Sequence, residues 1–161
     1  MADLDSISLT TLDGRETTLA EWQGQAKLVV NVASMCGLSP QYEKLEWLQQ
    51  EYGDRGFTVI GFPSNQFQQE YDSNEEIAEY CSTTWGVTFP MMDRIKVNGH
   101  DRHPLYRELV QTADAEGEAG DVQWNFEKFL VGTDGTVTRF RPQTEPDAPE
   151  VVAAIEFALP Q

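Results

Sequence analysis

The sequence predicts an α/β fold in a single domain spanning residues 1–161, and three observations predict it. Two apolar runs rich in β-branched residues, 27–33 (KLVVNVA) and 57–62 (FTVIGF), have the composition of strands buried on both faces. Between them Tyr42, Leu45, Leu48 and Tyr52 recur at helical spacing, so strand, helix and strand alternate along the chain. The length of 161 residues is that of one ordinary domain, and no repeat or linker divides it.

The elements follow in order. Residues 6–10 and 16–19 flank Asp13-Gly14, a strong turn signal, and predict an N-terminal β-hairpin. The 27–33 strand ends in the turn Ser34-Met35-Cys36-Gly37-Leu38-Ser39-Pro40. Pro40 suits the first position of the next helix, which Gly53 is expected to stop. A right-handed crossover back to 57–62 makes the two strands parallel neighbours in a central sheet. Ser73-Asn74-Glu75-Glu76 reads as a capping box, with Ser73 capping the helix and Glu76 reaching back to the Ser73 amide. That helix is expected to run to about Thr84 with Ile77, Tyr80 and Cys81 on one face. His103-Pro104 opens a helix through about Val110, and the acidic, aperiodic stretch 111–121 is a loop. Residues 128–131 and 136–140 around Asp134-Gly135 form a second hairpin, and 147–159 a closing helix. Parallel and antiparallel neighbours together make the sheet mixed.

Composition excludes several function classes. Eleven Lys and Arg against 27 Asp and Glu give a formal charge of −16, which repels phosphate backbones and anionic lipid surfaces. Neither nucleic acid nor membrane is expected as a partner, no run is long enough to span a bilayer, and the acidic start lacks the features of a signal peptide. Such a surface serves plain solubility or a saline setting. Two cysteines are too few for a secreted disulfide framework, so the chain reads as a soluble cytoplasmic domain. His100 and His103 have no cysteine near them and make a poor metal site, and no Walker loop or GxGxxG marks a nucleotide. Neither a metal nor a cofactor is expected.

The chemistry points to Cys36. An ordinary thiol of pKa ~8.5 is only about 3% thiolate at pH 7, and the thiolate is the reactive form. Helix N-termini favour the ionised sulfur, because their free amides and dipole attract negative charge. Cys36 lies four residues before the Pro40 helix start, where a buried strand gives way to a glycine-containing turn. In α/β sheets reactive groups gather at this carboxyl end. The bare spacing Cys36-Gly37-Leu38-Ser39 also suits a disulfide exchanger of the glutaredoxin kind.

Residues 31–42 (NVASMCGLSPQY), residues 61–67 (GFPSNQF) with Gln69-Glu70, and residues 124–130 (WNFEKFL) resemble in turn the active-site segment, the second signature and the third signature of the glutathione peroxidase family. Val97-Asn98-Gly99 and His103-Pro104-Leu105-Tyr106 match the intervening segment, so the likeness is colinear over nearly the whole chain. The resemblance implies a thioredoxin-like fold and a peroxidatic Cys36, which takes oxygen from a hydroperoxide to become a sulfenic acid. It further implies a tetrad of Cys36, Gln69, Trp124 and Asn125, whose amide and indole N–H groups donate hydrogen bonds without titrating. The Gln69 loop is one residue shorter than the family pattern, which leaves Gln68 as the alternative for that place.

Cys81 stands where thioredoxin-dependent members of the family carry the resolving cysteine, on the helix after Glu75-Glu76-Ile77. By resemblance it closes a disulfide with Cys36, and its helix must partly unwind if the two are far apart. Ser64 replaces a third cysteine common in the family. The resemblance thus implies a peroxidase acting on hydrogen peroxide and organic hydroperoxides, recycled by thioredoxin and monomeric. Glutathione is the alternative reductant. A redox sensor that relays oxidation to a partner protein, and a thiol–disulfide exchanger without peroxidase activity, are the competing readings.

Overall fold

The computed structural model describes residues 3–160. A 3₁₀ turn, Leu4–Ser6, leads into a two-stranded hairpin, β1 (Leu9–Thr10) and β2 (Glu16–Thr17), in which Leu9 pairs with Thr17. The main sheet contains β3 (Ala26–Val32), β4 (Phe57–Pro63), β5 (Lys128–Val131) and β6 (Val137–Phe140), in the order β4-β3-β5-β6. β3 pairs with β4 in parallel and with β5 antiparallel, so the sheet is mixed and β3 lies inside it. The helices are α1 (Gln41–Tyr52), α2 (Asn74–Tyr80), α3 (Pro104–Leu109) and α4 (Pro149–Ala158).

The apolar run of β3 is explained by burial on both faces, all seven of its residues being buried. Leu28, Val30 and Val32 join one core cluster with Tyr42, Leu45 and Leu48 of α1 and Val151 and Ile155 of α4. Val29 joins the other with Leu105, Tyr106 and Leu109 of α3 and Phe129 of β5. The sheet is therefore the middle of three layers. Among the described residues no helix is long and apolar enough to cross a membrane.

The expected elements form, with differences at their ends. Pro40 occupies the cap position rather than the first turn of α1. Gly53 is the C-cap of α1, as expected, but it keeps right-handed angles and opens a 3₁₀ turn, Gly53–Arg55, which Gly56 ends at φ 87°. Only glycine adopts that angle without steric cost. Ser73 caps α2 by accepting from the Glu76 amide at 3.2 Å, but the Glu76 carboxylate meets the Ser73 hydroxyl at 3.1 Å, not the Ser73 amide. α2 ends at Tyr80, four residues before the expected Thr84, and continues as a π-helical turn, Cys81–Trp85. The closing helix starts at Pro149, two residues late.

Lys128, fully buried on β5, donates to the carbonyls of Pro142 at 3.1 Å and Thr144 at 2.6 Å. Gln41 Nε2 donates to the same Pro142 carbonyl at 2.9 Å, so the segment after β6 is tied to the first turn of α1. That bond steadies the helix that follows Cys36.

Among the described residues two non-glycine residues adopt left-handed backbone, Gln68 (φ 60°) and Phe126 (φ 67°), and both lie in loops at the same end of the sheet. This conformation costs an L-residue roughly 1–2 kcal/mol. Phe126 recovers the cost by burying its ring against Tyr42, whereas Gln68 is exposed. The substitution Gln68→Gly is therefore expected to stabilise the protein by about 1 kcal/mol, or about 3 °C in a thermal melt. An unchanged or lower melting temperature would show that the turn carries no strain.

Candidate active site

The site is built at the carboxyl end of β3. Cys36 follows the strand by four residues in a tight turn, 4% exposed, with Met35 (53% exposed) and Gly37 open to solvent on either side. The Leu38 amide donates to Cys36 Sγ at 3.3 Å, and the Ser39 amide to the Cys36 carbonyl at 3.0 Å. The turn runs directly into α1, as expected from Pro40.

Two loops are hydrogen-bonded onto this end of the strand. The first follows β4: the Met35 amide donates to the Gln69 carbonyl at 2.8 Å, and the Ser34 amide to Glu70 Oε1 at 3.1 Å. The second precedes β5. Asn31 Nδ2 donates to the Trp124 carbonyl at 3.1 Å, Asn31 Oδ1 accepts from the Glu127 amide at 3.2 Å, and the Asn31 carbonyl accepts from the Phe126 amide at 2.6 Å. Asn31 is fully buried, so the loop satisfies polar atoms that would otherwise be stranded in the core.

The two loops also meet each other. Asn125 Nδ2 donates to Gln69 Oε1 at 3.2 Å, and the Trp124 ring packs against Phe67 with centroids 4.9 Å apart. Asn125 is fully buried and its Oδ1 has no partner. Because Gln69 Oε1 is an acceptor in this pair, the Gln69 NH₂ is left to donate elsewhere. Half-buried Trp124 packs against the core cluster that contains Cys36. Gln69, Trp124 and Asn125 are thus brought together beside the Cys36 turn. Gln68 is not: its left-handed backbone leaves it exposed, and the residue that turns inward to Asn125 is Gln69.

Cys81 is also buried, at the first residue of the π turn, and both cysteines are free thiols. Burial pushes the Cys81 thiol up to about 11, opposed by the neighbouring Tyr42 hydroxyl and reinforced by the charge of Glu70. Tyr42 sits among the rings of Phe126 (5.2 Å), Tyr80 (6.2 Å) and Trp85 (6.5 Å). The Trp85 indole donates to Tyr80 Oη at 3.0 Å, which reaches Ser39 Oγ at 3.5 Å, so the Cys81 segment rests on the turn that follows Cys36.

Three contributors escaped the reading of the sequence. Asn31, a lone polar residue inside an apolar strand, was the available signal for a buried anchor. Glu70 was visible only as part of a motif, and the Tyr42 hydroxyl was hidden by an apolar helical pattern. Among the described residues no group of three or more His, Cys, Asp or Glu side chains is placed to hold a metal ion.

Known proteins share this arrangement of sequence. The profile of the family described as glutathione peroxidase matches residues 4–110. Thioredoxin/glutathione peroxidase BtuE of Escherichia coli (strain K12) is 51% identical over 179 residues, covering 96% of this chain and 98% of the relative. Hydroperoxy fatty acid reductase gpx1 of Synechocystis sp. is 44% identical over 160 residues, covering 95% and 94%. Among solved structures, Trgpx in its apo form has a TM-score of 0.76 at 36% identity, over 98% of this chain and 96% of that one. A thioredoxin-family thiol:disulfide interchange protein from Chlorobium tepidum, 20% identical with a TM-score of 0.62 over 94% of this chain and 92% of its own, shares the fold. The fold is thioredoxin-like, and the chain belongs to the glutathione peroxidase family.

Proposed function

We propose that the protein is a thiol peroxidase that reduces hydrogen peroxide and organic hydroperoxides through Cys36, with thioredoxin as reductant. The observation that carries this reading is the convergence of the Gln69–Asn125 pair and Trp124 beside a cysteine whose sulfur already accepts a backbone N–H. In the first step the Cys36 thiolate attacks the terminal oxygen of ROOH. The S–O bond forms, the O–O bond breaks, and the departing RO⁻ takes a proton to leave as water or an alcohol. Charge develops on that oxygen, so fixed donors near it lower the barrier. The Gln69 NH₂, the Trp124 indole and the Asn125 amide fill that role, and none of them changes charge with pH.

Cys81 resolves the sulfenic acid in the second step. Its sulfur attacks Cys36 Sγ, hydroxide leaves with the Cys81 proton as water, and a disulfide remains. A reduced dithiol partner then exchanges with that disulfide. In the resting protein Cys81 is withdrawn, its thiol buried and held protonated. Delivery requires the segment 74–85 to loosen, and the π turn at Cys81–Trp85 is the weak point, since such turns depart from regular helical hydrogen bonding.

A second sulfur in this position and the strongly acidic charge both favour a protein dithiol over an anionic tripeptide. The open flanks at Met35 and Gly37 admit such a partner. The connection from α3 to β5 is a plain loop without an inserted element, which suits a monomer, and two free cysteines suit a reducing cytoplasm.

Coupled assays with NADPH, run in parallel with thioredoxin/thioredoxin reductase and glutathione/glutathione reductase, test the reading. Cys36→Ser is expected to abolish turnover in both, and Cys81→Ser to lower the thioredoxin-coupled rate by at least about tenfold, since no disulfide is then presented. Faster turnover with glutathione would reverse the assignment of reductant. A protein that stalls after one equivalent of peroxide with either system is a sensor, and one that reduces disulfides but leaves peroxide untouched is an exchanger. A separate prediction concerns Cys81 in the reduced Cys36→Ser protein. A thiol of pKa about 11 is roughly 0.1% ionised at pH 8, so alkylation by iodoacetamide should rise about tenfold per pH unit up to about pH 11. A plateau by pH 9 would mean that the thiol is not withdrawn.

A further inference from the structure

The buried carboxyl of Glu70 has no part in the peroxide chemistry just described, yet it touches the peroxidatic turn directly. Glu70 is 3% exposed. Its Oε1 accepts from two backbone amides, Ser34 at 3.1 Å and Tyr71 at 2.9 Å, while its own amide donates to Asn65 Oδ1 at 3.1 Å. The neighbouring residue forms the parallel link, with the Met35 amide on the Gln69 carbonyl at 2.8 Å. Two successive amides of the Cys36 turn are thus held by two successive residues of the Gln69 loop. Gln69 in turn carries the bond to Asn125.

We infer that Glu70 is a positioning residue of the peroxidase centre: its carboxyl reaches across from the Gln69 loop to the Ser34 amide and fixes Cys36 and Gln69 relative to one another. The inference rests on the reading of Cys36 as the peroxidatic residue. Its physical ground is that burying a carboxylate is costly, and burial does push the Glu70 carboxyl up, with the Tyr71 and Ser34 amides pulling the other way. A carboxyl kept at that cost is best explained by what it holds. All the backbone bonds fall on Oε1, and Oε2 is buried without a partner, as is Ser34 Oγ. The length of the side chain and one acceptor oxygen are therefore what the role requires, and the negative charge is not.

This separates two conservative variants. Glu70→Gln keeps the reach and an acceptor oxygen, and sets an NH₂ where Oε2 has no partner. Glu70→Asp keeps the charge but withdraws the acceptor by one methylene. Both are made in the full-length chain with Cys81→Ser, so that Cys36 sulfenic acid is not resolved. The readouts are the rate of sulfenic acid formation at Cys36 with hydrogen peroxide, trapped by dimedone and located by mass spectrometry, the rate of Cys36 alkylation by iodoacetamide, and the melting temperature. Misplacement by about 1 Å costs on the order of 10²-fold in a positioned reaction, so the Asp variant should be oxidised at least about tenfold more slowly, with alkylation changed less than about threefold and the Gln variant within about threefold of its parent. Oxidation of the Asp variant at the parental rate would overturn the inference, as would a Gln variant as slow as Asp, or alkylation falling in step with oxidation. Should the Asp variant unfold, the Gln variant decides: near-parental oxidation supports the inference and a tenfold loss overturns it. A parent that forms no adduct at Cys36 would instead sink the peroxidase reading, and this inference with it.

Discussion

The carboxyl end of β3 has more hydrogen-bonding groups than its own ladder can pair, and the rest of the site exists because two loops pair them. Asn31 is a primary amide in a strand whose neighbours are apolar and fully buried. An unpaired amide there would cost several times what a paired one contributes, so the chain that satisfies it is held firmly. That chain is the loop from Trp124 to Glu127, bound through both ends of the Asn31 side chain and through its carbonyl. The amides of Ser34 and Met35 impose the same demand a few residues on, and Glu70 and Gln69 meet it. Phe126 must enter the left-handed region to bring Asn125 round, a strain carried by its burial against Tyr42. Function here is assembled by backbone bookkeeping at one strand end.

A second constraint is the burial of the other sulfur. Cys81 belongs to the core cluster that contains Cys36, yet it is kept protonated in apolar surroundings beside Tyr42. A thiol kept in that form is protected from direct oxidation, because oxidant attack requires the thiolate. The resolving role proposed for it requires its release. The short α2 helix, the π turn after it and the aromatic contacts of Tyr80 and Trp85 with the α1 side form a segment fastened by a few bonds. Segments of that kind open locally at lower free energy than the sheet.

The architecture was legible because its signals are strong and local. The apolar runs at β3 and β4, the spacing of Tyr42, Leu45, Leu48 and Tyr52, and the Asp13-Gly14 and Asp134-Gly135 turns each have one structural meaning, and all of them formed. Helix ends were less legible. Gly53 marked the end of α1, but the 3₁₀ turn that carries the chain on to Gly56 had no sequence signal. The π turn at Cys81 could not be read at all, since no sequence pattern distinguishes it from one more helical turn. In the site, Cys36 stood out by its place between strand and helix, and Gln69, Trp124 and Asn125 by motif. Their mutual geometry was not readable, because it is fixed by pairings between residues far apart in sequence: the Asn31 side chain and carbonyl with the Trp124 loop, and the Ser34 and Met35 amides with the Gln69 loop. The left-handed torsion that leaves Gln68 exposed while Gln69 meets Asn125 was likewise not visible in the sequence.

The central claim is that docking of the Trp124 loop on β3 turns a reactive cysteine into a peroxidase. Asn31→Leu keeps the branching and heavy-atom count of the side chain but removes both of its side-chain bonds to that loop, leaving Cys36 and its Leu38 contact in place. The measurement is the second-order rate of hydrogen peroxide reduction set against the rate of Cys36 alkylation by iodoacetamide in the same protein. The account predicts that peroxide reduction falls on the order of 10²-fold while alkylation stays within several-fold of the parent. Peroxide reduction at the parental rate, or an equal fall in both reactions, would contradict it.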